Sequence, residues 1–346
     1  MSNRADALQA RWRPPYLLYL GNAADDLAVK TARGLAYWRP DWCVGQYRRR
    51  GCNSTLGLRD MEMAQARREG ADTMVIGVAN AGGSMSPEIV ADAIAALDAG
   101  LNVVGGLHQK LHGNPDIVAA ARRNGRVLFD AREPMPGIPV GNGRPRAGQR
   151  LLTVGTDCSV GKMYTTLAIE RALRQRGVAA DFRATGQTGI FIAGGGVPID
   201  SVIADFISGA IEQISPARLD GGWDLIEGQG SLFHPSYAGV SLGLLHGAQP
   251  DALVLCHEPT RQHMRGLADY PLPDLKICLD ANLAAARLTN PSVKAVGVAL
   301  NTSGLSKQAA AEACRRISDL LELPCQDPVT TGVDAIVDNL LACCAS

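Results

Sequence analysis

The sequence predicts an α/β protein built from two parallel-sheet domains, and three observations carry that prediction. Short apolar runs of strand character alternate with helical stretches along nearly the whole chain. Alternation at this spacing makes a parallel, doubly wound sheet, because each strand must return by a crossover that lies on a sheet face. A strand, a glycine-containing loop and a helix follow one another from Leu151 to Gly177, the order of a phosphate-cradling unit. Finally, residues 132–149 gather prolines and glycines without a hydrophobic period, which reads as a linker. The expected domains are therefore 1–131 and 150–346, and a chain of 346 residues suits two domains of ordinary size.

In the first domain, residues 16–20 (YLLYL) read as a strand, followed by a helix over 25–35 with Leu27, Val29 and Ala32 on its apolar face. Strands are expected at 42–47, 73–79, 102–107 and 126–130, with helices over 60–69 and 87–97 and another opened by Gly113-Asn114-Pro115. Asn80 to Ser84 follows a strand and precedes a helix, where open parallel sheets bind ligands, but it lacks the full dinucleotide fingerprint and reads more plainly as a turn. His108, Lys110 and His112 sit past a strand end. The four-residue spacing of the two histidines suits a metal pair on a helix, yet Gly113-Asn114-Pro115 argues against a helix there, and a polar loop is the plainer reading.

The second domain opens on its most informative stretch. Leu151-Leu152-Thr153-Val154 has strand character, Gly155-Thr156-Asp157-Cys158-Ser159-Val160-Gly161-Lys162 makes a tight loop, and a helix with Leu167, Ile169 and Leu173 runs to Gly177. Such a loop turns its backbone N–H groups inward, the helix presents its positive end, and the lysine adds a full charge. The standard pattern has Gly at the position of Thr156 and Ser or Thr, a Mg²⁺ ligand, at the position of Met163. An intact anion cradle without that ligand favours phosphates that stay unbroken, such as those of coenzyme A, over a hydrolysed nucleotide.

Further strands are expected at 178–184, 223–227, 252–256 and 294–300, with a short segment at 276–279. Helices are expected over 200–213, with Val202, Ile203, Phe206 and Ile207 as its apolar face, and over 307–321 and 333–341. Polar groups at strand ends face the crevice. Arg183 suits a substrate carboxylate, and Gln187 and Thr188 suit hydrogen bonds to it. Asp200 reads either as a helix cap or as a site residue. Glu227 ends a strand before Gly228-Gln229-Gly230, and His234 reads as a base or a hydrogen-bond donor.

Composition narrows the partners. Lys plus Arg and Asp plus Glu each total 34, so the formal charge is zero and nothing resembles a polybasic surface for nucleic acid or membrane. The nine cysteines are scattered without metal or redox spacing, as expected of free thiols in a reducing cytoplasm. With neither an apolar leader segment nor an apolar run of membrane length, a cytoplasmic enzyme of small-molecule substrates is expected.

GTDCSVGKM, ATGQTG with AGGGVPID, IEGQGSL and GVALNTSG together resemble the D-glutamate N-acetyltransferase family. The resemblance covers nearly the whole chain and implies a Rossmann-like N-terminal part followed by a P-loop C-terminal part. It implies acetyl transfer from acetyl-CoA to the amine of D-glutamate, in D-amino-acid catabolism, with no metal required and a homo-oligomer expected. Carried onto this chain, it makes Gly155, Thr156, Asp157, Cys158, Ser159, Val160, Gly161, Lys162, Met163 and Asn301 candidates for cofactor binding. Arg183, Gln187 and Thr188 are candidates for the substrate, and Asp200, Glu227 and His234 for catalysis. More distantly, residues 155–162, Glu227-Gly228-Gln229-Gly230 and Asn301 resemble dethiobiotin synthetase. That alternative is a ligase or kinase with Lys162 on ATP phosphates and Asp157 and Glu227 on Mg²⁺; Met163 departs from its pattern. A nucleotide sensor without turnover is the third reading.

Overall fold

The computed structural model describes residues 14–26, 28–78, 85–133 and 136–344. The chain divides into two compact units, one from residues 1–134 and 186–201, the other from residues 135–185 and 202–346. The segment 186–201, which follows a strand of the second unit in sequence, thus belongs to the first.

In the first unit, strands β1 (Tyr16–Gly21), β2 (Cys43–Arg48), β3 (Thr73–Ile76), β4 (Asn102–Gly105) and β5 (Leu128–Asp130) form one parallel sheet in the order β2-β1-β3-β4-β5. Every residue of β1, β3 and β4 is buried, which is why these strands read as continuous apolar runs: crossover helices cover both faces. Helices α1 (Lys30–Trp38), α2 (Met63–Arg68), α3 (Pro87–Asp98) and α4 (Pro115–Asn124) supply the crossovers. The Asn114-Pro115 signal works as read. The Asn114 carboxamide oxygen accepts from the N–H groups of Asp116 and Ile117 at 3.0 and 3.1 Å, proline fills the first position without losing a bond, and Gly125 closes the helix at φ 59°. The expected helix at 25–35 begins later, at Lys30. Leu27 and the Asn80 to Ser84 loop lie outside the described residues.

In the second unit, β6 (Gln149–Gly155), β7 (Ala180–Arg183), β8 (Trp223–Ile226), β9 (Ala252–His257), β10 (Lys294–Leu300) and β11 (Cys325–Gln326) form a parallel sheet in the order β11-β10-β9-β6-β8-β7. Strand β6 pairs with β8 on one side and β9 on the other, so strand order reverses there. Open parallel sheets form their ligand crevice beyond the carboxyl ends of strands at such a point, and β6 delivers the glycine loop into it. Helix α5 (Lys162–Gln175) follows that loop. Helix α6 (Gln187–Ala193) belongs to the first unit and packs on α1. Helices α7 (Ile207–Ile214), α8 (Ala238–Ala248), α9 (Leu275–Arg287), α10 (Lys307–Leu321) and α11 (Asp334–Cys343) complete the second unit. The proline- and glycine-rich stretch lies along α7: the Glu212 carboxylate accepts from the N–H groups of Asn142 and Gly143 at 2.9–3.0 Å.

Three expectations are corrected. The helix over 200–213 is not continuous. Residues Ile199–Ser201 and Ala204–Phe206 form separate short 3-10 turns, and α7 starts at Ile207. Ile203, counted on the apolar face, is extended at φ −60°, ψ 139° and 70% exposed. Residues 276–279 lie inside α9, whose start is fixed by the Asp274 carboxylate accepting from Lys276 and Ile277 N–H at 2.8 and 3.1 Å. Helices α6 and α8 have no counterpart among the expected elements.

Candidate active site

The loop between β6 and α5 has the shape its sequence requires. Gly161 sits at φ 103°, and Ser159 holds a left-handed φ of 56° without being glycine, a conformation that non-glycine residues enter at a cost. Lys162 is buried, and its Nζ donates to the carbonyls of Asp157 at 2.7 Å and Gly230 at 2.8 Å. Burial lowers its pKa below the ordinary lysine value. Behind the loop, Thr166 Oγ1 donates to Lys162 O at 2.8 Å, and Thr153 Oγ1 accepts from Gly228 N–H at 3.0 Å. The loop is thereby tied to the end of β8. A Cβ on Gly228 would stand 1.7 Å from Thr153 O, so that crossing requires glycine.

Several sequence candidates meet at this loop. Glu227 is 4% exposed, and its Oε2 accepts from Thr185 N–H at 3.0 Å while its carbonyl accepts from Thr185 Oγ1 at 2.6 Å. The next turn is laced to the loop: Ser231 Oγ donates to Thr156 O at 3.1 Å, and His234 N–H donates to Ser231 O at 3.1 Å. A ring nitrogen of His234, a carboxylate oxygen of Asp157 and the Cys158 thiol lie within 4.8 Å of one another. Asn301 borders Gly161, whose Cβ position lies 3.8 Å from Asn301 Cβ, and its own N–H is fixed on His257 O at 2.8 Å. Met163 is half-buried at the start of α5.

The remaining candidates are committed to other partners. Arg183 donates to Oδ1 of the buried Asp224 at 2.9 and 2.7 Å, and Arg218 shares that carboxylate at 2.9 Å. Gln187, Thr188 and Asp200 belong to the first unit. Gln187 packs against Gly106, Thr188 Oγ1 lies 3.2 Å from Thr31 Oγ1, and Asp200 is ion-paired with Arg132. His112 is held by Nδ1 at 2.6 Å from Asp130, whose carboxylate also accepts from Leu111 and His112 N–H. Asp130 thereby caps the 3-10 turn Leu111–Gly113, with 108–110 left as loop before it.

Two family models match the chain in order: a Rossmann-like domain of unknown function, DUF1611_N, over residues 44–134, and a P-loop domain of unknown function, DUF1611_C, over residues 139–337. The chain belongs to the DUF1611 family. A DUF1611 family protein of Anabaena variabilis ATCC 29413, known from its crystal structure, is similar at a TM-score of 0.84 with 31% identity, covering 95% of this chain and 99% of that one. A D-glutamate N-acetyltransferase of Pseudoalteromonas sp. is 49% identical over 328 residues, 95% of this chain and 99% of its own length. One of Tritonibacter scottomollicae is 50% identical over 328 residues, 95% of this chain and 98% of its own.

In this DUF1611 chain the loop also has neighbours that sequence reasoning missed. Arg261 donates from NH1 to Asp157 Oδ2 at 2.7 Å and to Cys158 O at 2.6 Å, and it is ion-paired with Glu258. Arg265 donates its N–H to Asp157 Oδ2 at 2.7 Å, and its guanidinium bonds Ser159 Oγ. The other Asp157 oxygen accepts from Cys158 N–H at 2.6 Å. Asp157 therefore faces a guanidinium and two N–H groups, where the ligase reading needs it on Mg²⁺. Thr156 Oγ1 lies 3.0 Å from His257 Nδ1. Burial, with Arg261 adding to it, lowers the His257 pKa to about 4. Among the described residues, no helix is long and apolar enough to cross a membrane.

Proposed function

We propose that this protein transfers the acetyl group of acetyl-CoA to the amino group of D-glutamate. The observation that carries this reading is the 49–50% identity, over 95% of the chain, to two proteins of that name. The loop chemistry supports the acyl-donor half. Backbone N–H groups, the α5 terminus and Lys162 suit the phosphates of coenzyme A, Arg261 and Arg265 add positive charge at the rim, and Met163 supplies no Mg²⁺ ligand.

The reaction requires the ammonium of the amino acid to lose a proton before nitrogen attacks the thioester carbon. The C–N bond forms, the C–S bond breaks, and the thiolate leaves and takes up a proton. Glu227 is the proposed proton acceptor, since its carboxylate is buried at a strand end and aimed by Thr185 N–H. The substrate carboxylates need cationic or amide partners, and Arg183 is already spent on Asp224.

The test is release of free coenzyme A by the purified protein across D- and L-amino acids with acetyl-CoA as donor. Release with D-glutamate is expected, and its absence with every amino acid would remove the reading. Glu227→Gln is expected to lower kcat by about 10²-fold or more with the fold intact by circular dichroism. A Glu227→Gln protein with wild-type kcat would remove Glu227 from the role.

A further inference from the structure

We infer that His234 is a hydrogen-bond donor to a phosphate oxygen of the ligand held by the Gly155–Lys162 loop, and not a proton acceptor in the reaction. The inference rests on the reading above and deepens it, assigning a residue to the diphosphate end of the proposed acyl donor.

Three observations converge. The first is the tautomer. Ser236 N–H donates to His234 Nδ1 at 3.1 Å, so in the neutral ring Nδ1 carries the lone pair and Nε2 carries the proton. A ring held this way offers a donor at Nε2 and no acceptor. The second is an unmet need. His234 is 3% exposed, and its Nε2 has no hydrogen-bond partner among the described residues. A buried donor without an acceptor is costly and is the kind of group a bound ligand satisfies.

The third observation is place. A ring nitrogen of His234 lies within 4.8 Å of both an Asp157 oxygen and the Cys158 thiol, in the first turn of the loop. The ring also rests on Tyr237, with centroids 4.5 Å apart, and its backbone is tied through Ser231 to Thr156 O. The imidazole is therefore fixed beside the cradle. A cation does not suit this corner, because Arg261 and two N–H groups already occupy Asp157. An anion does: entry of a phosphate draws Lys162 Nζ off the Asp157 and Gly230 carbonyls it now serves, and the phosphate then accepts from Nε2–H.

Two variants separate the roles, because glutamine places an amide N–H near the position of Nε2 while phenylalanine keeps the ring shape without a donor. His234→Phe is expected to weaken binding of coenzyme A and of inorganic pyrophosphate, measured by calorimetry, about ten-fold, the scale of one hydrogen bond to a charged group. The KM for acetyl-CoA should rise alongside while kcat changes little. His234→Gln is expected to restore both affinities to within about three-fold of wild type. Unchanged pyrophosphate affinity in His234→Phe overturns the inference. So does an equal collapse of kcat in both variants with the KM for acetyl-CoA unchanged, the signature of a lost base. Thermal unfolding of each variant shows whether a loss is one of folding. Pyrophosphate binding is read without turnover, so it decides the place of His234 even if the wild-type protein proves inactive on D-glutamate and the function falls.

Discussion

Lys162 shows how a single side chain is made ready for an anion. Its ammonium is buried, and two carbonyls hold it, at 2.7 and 2.8 Å. Burial penalises its charge, and a phosphate would relieve that penalty by direct ion pairing. Lys162→Ala is therefore expected to raise the KM for acetyl-CoA by at least about ten-fold while the KM for D-glutamate stays within about two-fold. Steady-state kinetics with each substrate varied in turn checks this, and equal effects on both would argue against the loop as the coenzyme A site. Lys162 is legible in the sequence because every part of its signal is local: strand, glycine, lysine and helix lie within one stretch. Arg261 and Arg265 are not. They reach Asp157 and Ser159 from more than 100 positions away, because β9 pairs with β6 and brings the chain after His257 over the loop. No local pattern in HEPTRQHMR announces that adjacency.

At the scale of elements, strands buried on both faces and helices with ordinary caps are legible nearly to the residue, as β10 and α10 show. Helix α8 escapes such a reading for a physical reason. Its sequence, AGVSLGLLHGA, has glycines at 239, 243 and 247, which read as helix breakers. Two of them instead allow close packing on α7. A Cβ on Gly243 would lie 2.6 Å from Ile207 Cγ2, and one on Gly247 would lie 2.5 Å from Ser208 O, whereas one on Gly239 meets nothing within 4 Å. Helix propensity alone favours alanine over glycine at all three positions by up to about 1 kcal/mol. Gly247→Ala is nevertheless expected to destabilise by about 1–3 kcal/mol, because the obstacle is backbone and the contact must open. Gly239→Ala should be neutral or stabilising by less than about 1 kcal/mol. Urea midpoints of the two variants decide the matter, and a Gly247→Ala protein as stable as wild type would show that α7 and α8 are not in close contact.

For the whole molecule, the α/β architecture follows from alternation, while the assignment of 136–149 to the second unit and of 186–201 to the first does not, since sequence order gives no hint of either. Charge is equally a property of the whole: 34 basic and 34 acidic residues leave a formal net charge of zero at neutral pH, and acid sensitivity begins at individual groups. His257 is one such group. Its imidazole is set against Thr156 and near Arg261, and its pKa falls from 6.5 to about 4. Between those values the unfolded chain binds a proton that the folded protein refuses, so stability is present above pH 6.5 and lost as pH falls toward 4. Asp60, Asp98 and Asp220, all held below the ordinary carboxylate value first by arginine partners, add losses of the same sign, but only below pH 3.8. The two limbs are separable. In His257→Gln, urea midpoints measured from pH 7 down to about pH 2 should fall less than in wild type between pH 6.5 and 4, with the loss below pH 3.8 retained. Parallel wild-type and variant curves across the upper limb would mean that His257 is charged in the folded protein, and that its place beside the loop is not the low-polarity one its burial implies.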